Sequence, residues 1–485
     1  MTRQTDVPAL IRRYYLYRAT ATVGFVTPIF TIFLLRDLNF AQLGTLSGLF
    51  SALLVLGEIP TGYVGDRIGL RHSLVLGATF KAASLVGFVV ADSFPAYLVL
   101  YVLWAAGLTF DSGALSAWLY ETLAAAGAVT DESDTAESAE SSVFDTTESE
   151  AAESQATDPI GVDSTESEPT ASDTTDSDGP SDATESDSTD PAESSVADPQ
   201  ASALDETAFT RVRGRGESLN RWVGAAVMVA GGLLYAVDPR IPFLAAAGWV
   251  LLGIPVLLSL PAVDAVQDKT SIGEAVGVFT TAFTAPPLRS VVAYTALAFG
   301  ALSAAQLYVQ PIAVDLLSGV DALAGVGAEA SLGLLYAAFT VVAAVASYNA
   351  DRVERALGRG RTLVLLPVGV ALAMVVPLAV PLLALPVFFA MRSADPILRP
   401  VTHAILNEEL GSTGRATAIS AAAMVYGLVR LPLAIGGGVL ADATSPLVAV
   451  AAFGAIFLVC GAAILLVESP ASVVVDGDRG QREVA

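Results

Sequence analysis

Charged and amide side chains recur at helical spacing inside stretches that are otherwise apolar. Arg392, Asp395, Arg399 and His403 stand at i, i+3, i+7 and i+11, which on an α-helix is one continuous face. Ser303, Gln306 and Gln310 share a second such face, and Arg18, Asp111 and Arg430 are isolated ionisable residues in other apolar runs. An ionisable side chain at bilayer depth costs roughly 2.5–3.5 kcal/mol, so each needs a partner or a function. Two readings compete. Asp111, Arg392 and Asp395 could bind a polar solute or carry a coupling ion in a water-accessible chamber. Alternatively, Arg392 and Asp395 neutralise each other, and Arg430 pairs with Asp111 or Asp395 to hold helices in register. His403, nearer a membrane surface, is more simply a solvated or packed residue. No nucleophile–histidine pair and no phosphate-cradling glycine loop accompanies these groups, so enzyme chemistry is not expected. With two histidines and the single Cys460, neither a metal site, a cofactor nor a disulfide framework is expected.

The elements that must position these residues are membrane spans. The sequence is 53% apolar, and a bilayer core takes roughly 20 apolar residues per helix. Windows of that kind fall at 14–35, 40–63, 73–91, 95–120, 217–237, 241–260, 289–314, 329–348, 362–380, 382–406, 415–440 and 446–467. The expected fold class is therefore an all-α integral membrane protein of twelve spans. With the N-terminus inside, Arg12, Arg13, Arg67, Arg71, Arg211, Arg213, Arg215, Arg352, Arg355, Arg359 and Arg361 gather on one side, and only Arg36 and Arg240 lie on the other. That asymmetry places both termini in the cytoplasm. The expected partners are the lipid bilayer of the cytoplasmic membrane, a small-molecule substrate and a coupling ion, proton or sodium, with no nucleic acid. A monomer is expected.

The chain also repeats itself. "GYVGDRIGLRHS" follows span 2 and "SYNADRVERALGRG" follows span 8, each setting an Asp-Arg pair at a helix end: Asp66-Arg67 and Asp351-Arg352. Span 4 then ends near Glu121 and span 10 near Glu408, 55 and 57 residues after the respective aspartates. Arg215 opens span 5 as Arg415 opens span 11, but the gap from Glu to Arg is 94 residues in the first half and 7 in the second. A segment has been inserted in the first half. Residues 131–206 hold 24 of the 49 Asp and Glu and not one Lys or Arg, so the rest of the chain balances at 25 acids against 25 bases. Such a segment is too poor in apolar side chains to offset its ordering entropy and is expected to be disordered. Solvation in concentrated salt, as in halophiles, is its simplest role, which 23 Arg against only Lys81 and Lys269 supports. A phosphorylation or docking segment is one alternative, and cation buffering by clustered carboxylates, without any spaced ligand loop, is the other. The expected organisation is a six-helix bundle from 1–126 plus 207–260, the insertion 127–206, a linker 261–288, a second bundle 289–468 and a cytoplasmic tail 469–485. Two halves of equal polarity imply a parallel repeat with a substrate site between them at mid-depth.

"EIPTGYVGDRIGLRHS" resembles the loop 2–3 signature of the major facilitator superfamily, Gly-x-x-x-Asp-Arg-x-Gly-basic-basic, with Gly62, Asp66, Arg67, Gly69 and Arg71 in register. Leu70 replaces the first basic residue and His72 follows the second. "SGALSAWLYETL" and "GRATAIS" look like a drug or small-solute exporter branch. The resemblance implies that spans 1, 4, 7 and 10 line a central cavity, and that Asp66 faces the positive N-terminus of span 11. Glu121 is the expected partner of Arg71 or Arg67 in a latch that breaks as the halves rock; the plainer view makes those arginines topology determinants only. Glu58, beside Pro60, is expected to shape a helix end. Span 5 reads "VGAAVMVAGGLLYAV", with Gly224, Gly231 and Gly232 but without the proline of proton-coupled exporters, so facilitated diffusion or sodium coupling stays open beside proton-coupled efflux. The function expected is secondary transport of a small organic solute or drug; the alternative is a transport-inactive sensor or scaffold signalling through the acidic loop.

Overall fold

The computed structural model describes residues 7–130, 199–262, 286–324, 327–409 and 415–467, and these are almost entirely helical. In chain order the helices are α1 (Val7–Thr20), α2 (Phe30–Leu34), α3 (Phe40–Ile68), α4 (Leu70–Val90), α5 (Phe94–Thr130), α6 (Pro199–Val237), α7 (Ile241–Leu258), α8 (Pro286–Ala324), α9 (Ala328–Tyr348), α10 (Ala350–Leu357), α11 (Arg359–Val375), α12 (Ala384–Glu409), α13 (Arg415–Ala443) and α14 (Pro446–Val467). Between α11 and α12, where Pro377 and Pro381 preclude regular helix, the chain makes two short 3-10 turns. The chain separates into two units, Met1–Leu123 with Phe209–Ala485, and Ala124–Ala208. In the smaller unit, helix continues past the expected insertion boundaries, to Thr130 on one side and from Pro199 on the other. The bulk of the acidic insertion, 131–198, lies outside the described residues, as do most of the 261–288 linker and the tail.

Eleven helices among the described residues are long and apolar enough to cross a membrane. The expected span over 14–35 is not among them, because it is split: α1 ends at Thr20, residues 21–29 are irregular, and α2 has only five residues. Thr20, Thr22, Val23, Val26 and Thr27 are β-branched, Gly24 is a poor helix former, and Pro28 has no N–H and disfavours helix at Thr27. Backbone broken at membrane depth must find other partners. Asn220 donates to the Arg18 carbonyl at 2.7 Å and Trp249 to that of Ala19 at 3.0 Å. Gln310, from α8 in the other half, donates to the Thr27 carbonyl at 2.8 Å, while its amide oxygen accepts from the N–H groups of Thr31 at 2.7 Å and Ile32 at 3.3 Å. One buried amide thus holds both edges of the break.

Two large apolar cores form, one per half, and Leu288, Val292, Leu406 and Ala422 make a small third cluster in the second half. Tyr17, Ile29, Leu34, Phe88, Trp118 and Phe243 anchor the first, and Tyr294, Tyr308, Phe388, Phe453 and Phe457 the second. The loops after α3 and after α10 both turn on glycines with positive φ, +83° at Gly69 and +81° at Gly358, a conformation that side chains with a Cβ rarely adopt. The second copy therefore keeps the glycine turn of the first, but its Asp-Arg pair lies in a separate eight-residue helix, α10, instead of at the end of one long helix.

Replacing Gln310 by Leu should leave one carbonyl and two N–H groups of the break unpaired. The expected cost is about 2–4 kcal/mol, at roughly 1–3 kcal/mol per buried unsatisfied group with partial recovery by water. Thermal unfolding of the detergent-solubilised protein reads it; an unchanged midpoint would show that the break is held by its neighbours alone.

Candidate functional site

The two halves meet closely at the end remote from the arginine-rich loops. A Cβ placed on Gly44 of α3 would lie 2.2 Å from the Ala434 carbonyl oxygen of α13, and one on Gly438 of α13 would lie 2.3 Å from the Phe40 carbonyl oxygen. Only glycine lets these backbones touch. At the same end, both carboxylate oxygens of Asp442, near the end of α13, accept from the first N–H groups of α3: Phe40 at 2.9 Å and Ala41 at 2.8 Å. Asn39 and Gln42 complete the cap with a reciprocal pair of bonds. Gln310 adds its cross-half clamp on the broken first span.

On the basic side of these crossings, residues of both halves line a cavity of about 1130 Å³. The first half contributes Thr22, Thr27, Ser51 and Asn220; the second contributes Ser303, Gln306, Tyr336, Arg392, Asp395 and Arg430. Toward the basic end its lining reaches Ser347, next to last in α9, and His403, in the last third of α12.

The structure sorts the sequence-derived candidates. Gln306, Arg392, Asp395 and Arg430 are brought together in the cavity wall, with Arg399 and His403 beside them. Arg392 and Asp395 do not pair: Asp395 accepts from Arg399 at 2.7 Å, whereas the Arg392 guanidinium lies over the rings of Tyr336 and Phe339, 5.2 and 5.6 Å from their centroids. Spacings of three and four residues both allow an ion pair; both arginines lie over aromatic rings, Arg399 over Phe299 at 5.1 Å, and it is Arg399 that also takes the carboxylate. Nor does Arg430 pair with Asp111 or Asp395. It donates across the seam to the hydroxyls of Ser51 and Ser47, both at 2.8 Å.

Three candidates are placed elsewhere. Asp111 is not a cavity residue; it accepts from Lys81 of α4 at 3.0 Å and from the Tyr17 hydroxyl at 2.7 Å, with Lys81 only 3% exposed. Gln310 serves the broken span. Arg18 pairs with Glu217 of α6, which also faces Arg221 at 3.7 Å. In the latch, Arg71 donates to the Leu260 carbonyl at 3.2 Å rather than to Glu121. Arg352 donates to Asn349 at 2.8 Å in the second copy, beside Asp351. The surroundings of Glu58, Gly62, Asp66 and Glu408 lie outside the described residues, and with them the expected contact between Asp66 and the start of span 11. Sequence reasoning passed over Lys81, Asp442, Tyr336, Phe339 and the Ser47/Ser51 pair.

No family model matches the chain. An uncharacterized MFS-type transporter of Bacillus subtilis (strain 168), YxaM, is 24% identical over 98 residues, a fifth of this chain and a quarter of that protein's length. Among solved structures, a mutant form of the nucleoside transporter NupG superposes with a TM-score of 0.67 at 10% identity, covering 95% of this chain and 99% of that one. The peptide transporter POT in complex with sulfate gives 0.58 at 12% identity, covering 95% and 93%. A bacterial homologue of the human lysosomal transporter Spinster, in an inward-facing and unoccupied conformation, gives 0.58 at 14%, covering 98% of each. With its broken first span, its paired halves and the cavity between them, the chain has the fold of the major facilitator superfamily transporters.

Proposed function

We propose that the chain is a secondary transporter that carries a small solute through the cavity by alternating access, with the cytoplasm on the arginine-rich side. What supports this is one observation: the cavity draws polar residues from both halves, and on the side away from the basic end the halves are joined across the seam at Gly44–Ala434, Gly438–Phe40, Asp442–α3 and Gln310–Thr27. Contacts of that kind can be exchanged for others as the halves rock, whereas a rigid scaffold has no use for them. The Asp395–Arg399 pair, half exposed to the cavity with His403 one turn on, is the titratable group that we assign to ion coupling. Efflux and a proton as the coupling ion are the directions to test first.

The purified chain in sealed liposomes, given imposed proton or sodium gradients, should show saturable flux of at least one member of a panel of uridine, a dipeptide, a pentose and a small aromatic acid. Flux no greater than in empty liposomes, under every gradient, would overturn the reading. We read the insertion as a solvated loop, so removal of 131–198 is expected to leave this flux unchanged; its abolition in a correctly inserted protein would make the segment part of the machinery.

A further inference from the structure

The cavity wall carries more positive charge than it neutralises. Its guanidinium groups are Arg221, Arg392, Arg399 and Arg430, and its only carboxylate among the described residues is Asp395. That carboxylate is committed, since Arg399 donates to it through two nitrogens, at 2.7 and 3.3 Å. Arg221 has Glu217 at 3.7 Å. Arg392 and Arg430 have no acid. Their partners are two aromatic rings in one case and two serine hydroxyls in the other, all of them neutral.

Each of these two guanidiniums also keeps a buried Nε with no hydrogen-bond partner, and Gln306, in the same wall, keeps a buried amide oxygen without one. Guanidinium donors buried in this way are rarely left over, because desolvating them without an acceptor is costly. The residues that carry these unmet groups, two cations and one neutral amide, all line one chamber, and a turn of the side chain presents each group to it. Around them the wall is apolar and aromatic: Phe299, Leu302, Phe339 and Met391 among others. A cationic solute would meet two uncompensated positive charges in a poorly screened space; an anion would meet their complement. Tyr336 and Phe339 hold the Arg392 guanidinium by their rings and take none of its N–H donors, which leaves the fork for bidentate recognition of a carboxylate or phosphate.

Resting on the transport reading, we infer that the substrate is a small amphiphilic organic anion. Its carboxylate or phosphate group is received by Arg392 and Arg430, its apolar or aromatic body lies against the rings of α8 and α9, and a hydroxyl or amino group on it donates to Gln306. Arg430 then has a second consequence. Its present acceptors, Ser47 and Ser51, belong to the opposite half, so an anion that captures the guanidinium competes with a contact that bridges the seam.

Full-length protein in detergent tests this with a matched set of probes: 3-phenylpropionate and phenyl phosphate as anions, 3-phenylpropanol as the neutral match and phenethylamine as the cation. Dose-dependent thermal stabilisation is expected from at least one anion and not from the amine, and the stronger anion distinguishes carboxylate from phosphate. Arg392→Gln and Arg430→Gln should each weaken that anion's apparent affinity at least tenfold. Arg392→Lys, which keeps the charge and loses the fork, should fall between wild type and Gln and serves if the Gln variant does not fold. Stabilisation by the amine equal to that by both anions, or variants that bind anion as wild type does, would overturn the inference. Liposome flux separates the two claims. Saturable transport of the neutral or cationic probe, untouched by the anions, sinks the anion and keeps the transporter; anion binding that needs both arginines, without flux of any probe, keeps the site and sinks the transporter.

Discussion

Replacing Lys81 by Met is expected to destabilise the protein by about 3–5 kcal/mol, the usual cost of removing one partner of a buried ion pair. Asp111 would keep the Tyr17 hydroxyl but lose the cation that justifies a carboxylate between α4, α5 and α1. The mirror change, Asp111→Asn, leaves the ammonium of a 3% exposed lysine facing a neutral amide, and an effect of similar size is expected. The decisive variant combines them. Lys81→Met with Asp111→Asn removes both charges, and the new amide oxygen still accepts from Tyr17, so most of the lost stability should return. Coupling of this kind is what a double-mutant cycle measures. Thermal unfolding and monodispersity after heating read the stability, and liposome flux reads the function. If the pair is structural, the double variant transports within a few-fold of wild type. A double variant that is folded and stable yet inert would restore Asp111 to the transport mechanism.

This pair also shows what was legible in the sequence. The depth of each charge could be counted along its helix: Lys81 lies eight residues into span 3 and Asp111 nine before the end of span 4. Since those spans run antiparallel, both sit roughly 12–14 Å from the same surface at 1.5 Å per residue. That match in depth is in the sequence, but it pairs the two residues only once spans 3 and 4 are known to be neighbours. The apolar windows, the polarity and the Asp-Arg repeat were legible because each depends on hydropathy or on local chain chemistry. Pairing across helices was not. Arg392 and Arg399 flank Asp395 at permitted spacings, and nothing local distinguishes them: each meets aromatic rings from another helix, Arg392 those of α9 and Arg399 that of Phe299 in α8. Gln306 and Gln310 share a face, yet one lines the cavity and the other is drawn into a break in span 1 that Gly24 and Pro28 announce but whose partner they do not name. Asp442 was unremarkable in sequence, as a single acid at the end of an apolar helix.

That aspartate carries the second large effect. Asp442 sits near the C-terminus of its own helix, where a negative charge opposes the helix dipole, and it is stabilised by the N-terminus of α3 in the other half. The loop 2–3 motif implies the reverse arrangement at the basic end, Asp66 at the end of α3 facing the start of α13. One pair of helices would then carry an aspartate-to-N-terminus contact at either end, engaged alternately. Asp442→Ala is expected to remove about 1–2 kcal/mol from the closed end, which shifts the balance toward opening there by roughly 5–30-fold. Gly44→Val acts more strongly at the same crossing. Its side chain would overlap the backbone at Ala434, which cannot move as a side-chain tip can, so α3 and α13 must separate. The fold tolerates this by favouring the opposite conformation, and transport should fall by two orders of magnitude or more because the cycle can no longer close on that side. A cysteine at Leu54, in the cavity wall, placed in a Cys460→Ser background, reports the change. An impermeant maleimide added on the side away from the arginine-rich loops should label it slowly in the parent, faster with Asp442→Ala and fastest with Gly44→Val. Labelling that stays at the parental rate in a folded Gly44→Val protein, with transport intact, would mean that this crossing is not the gate, and that rocking about it is not how the cavity changes sides.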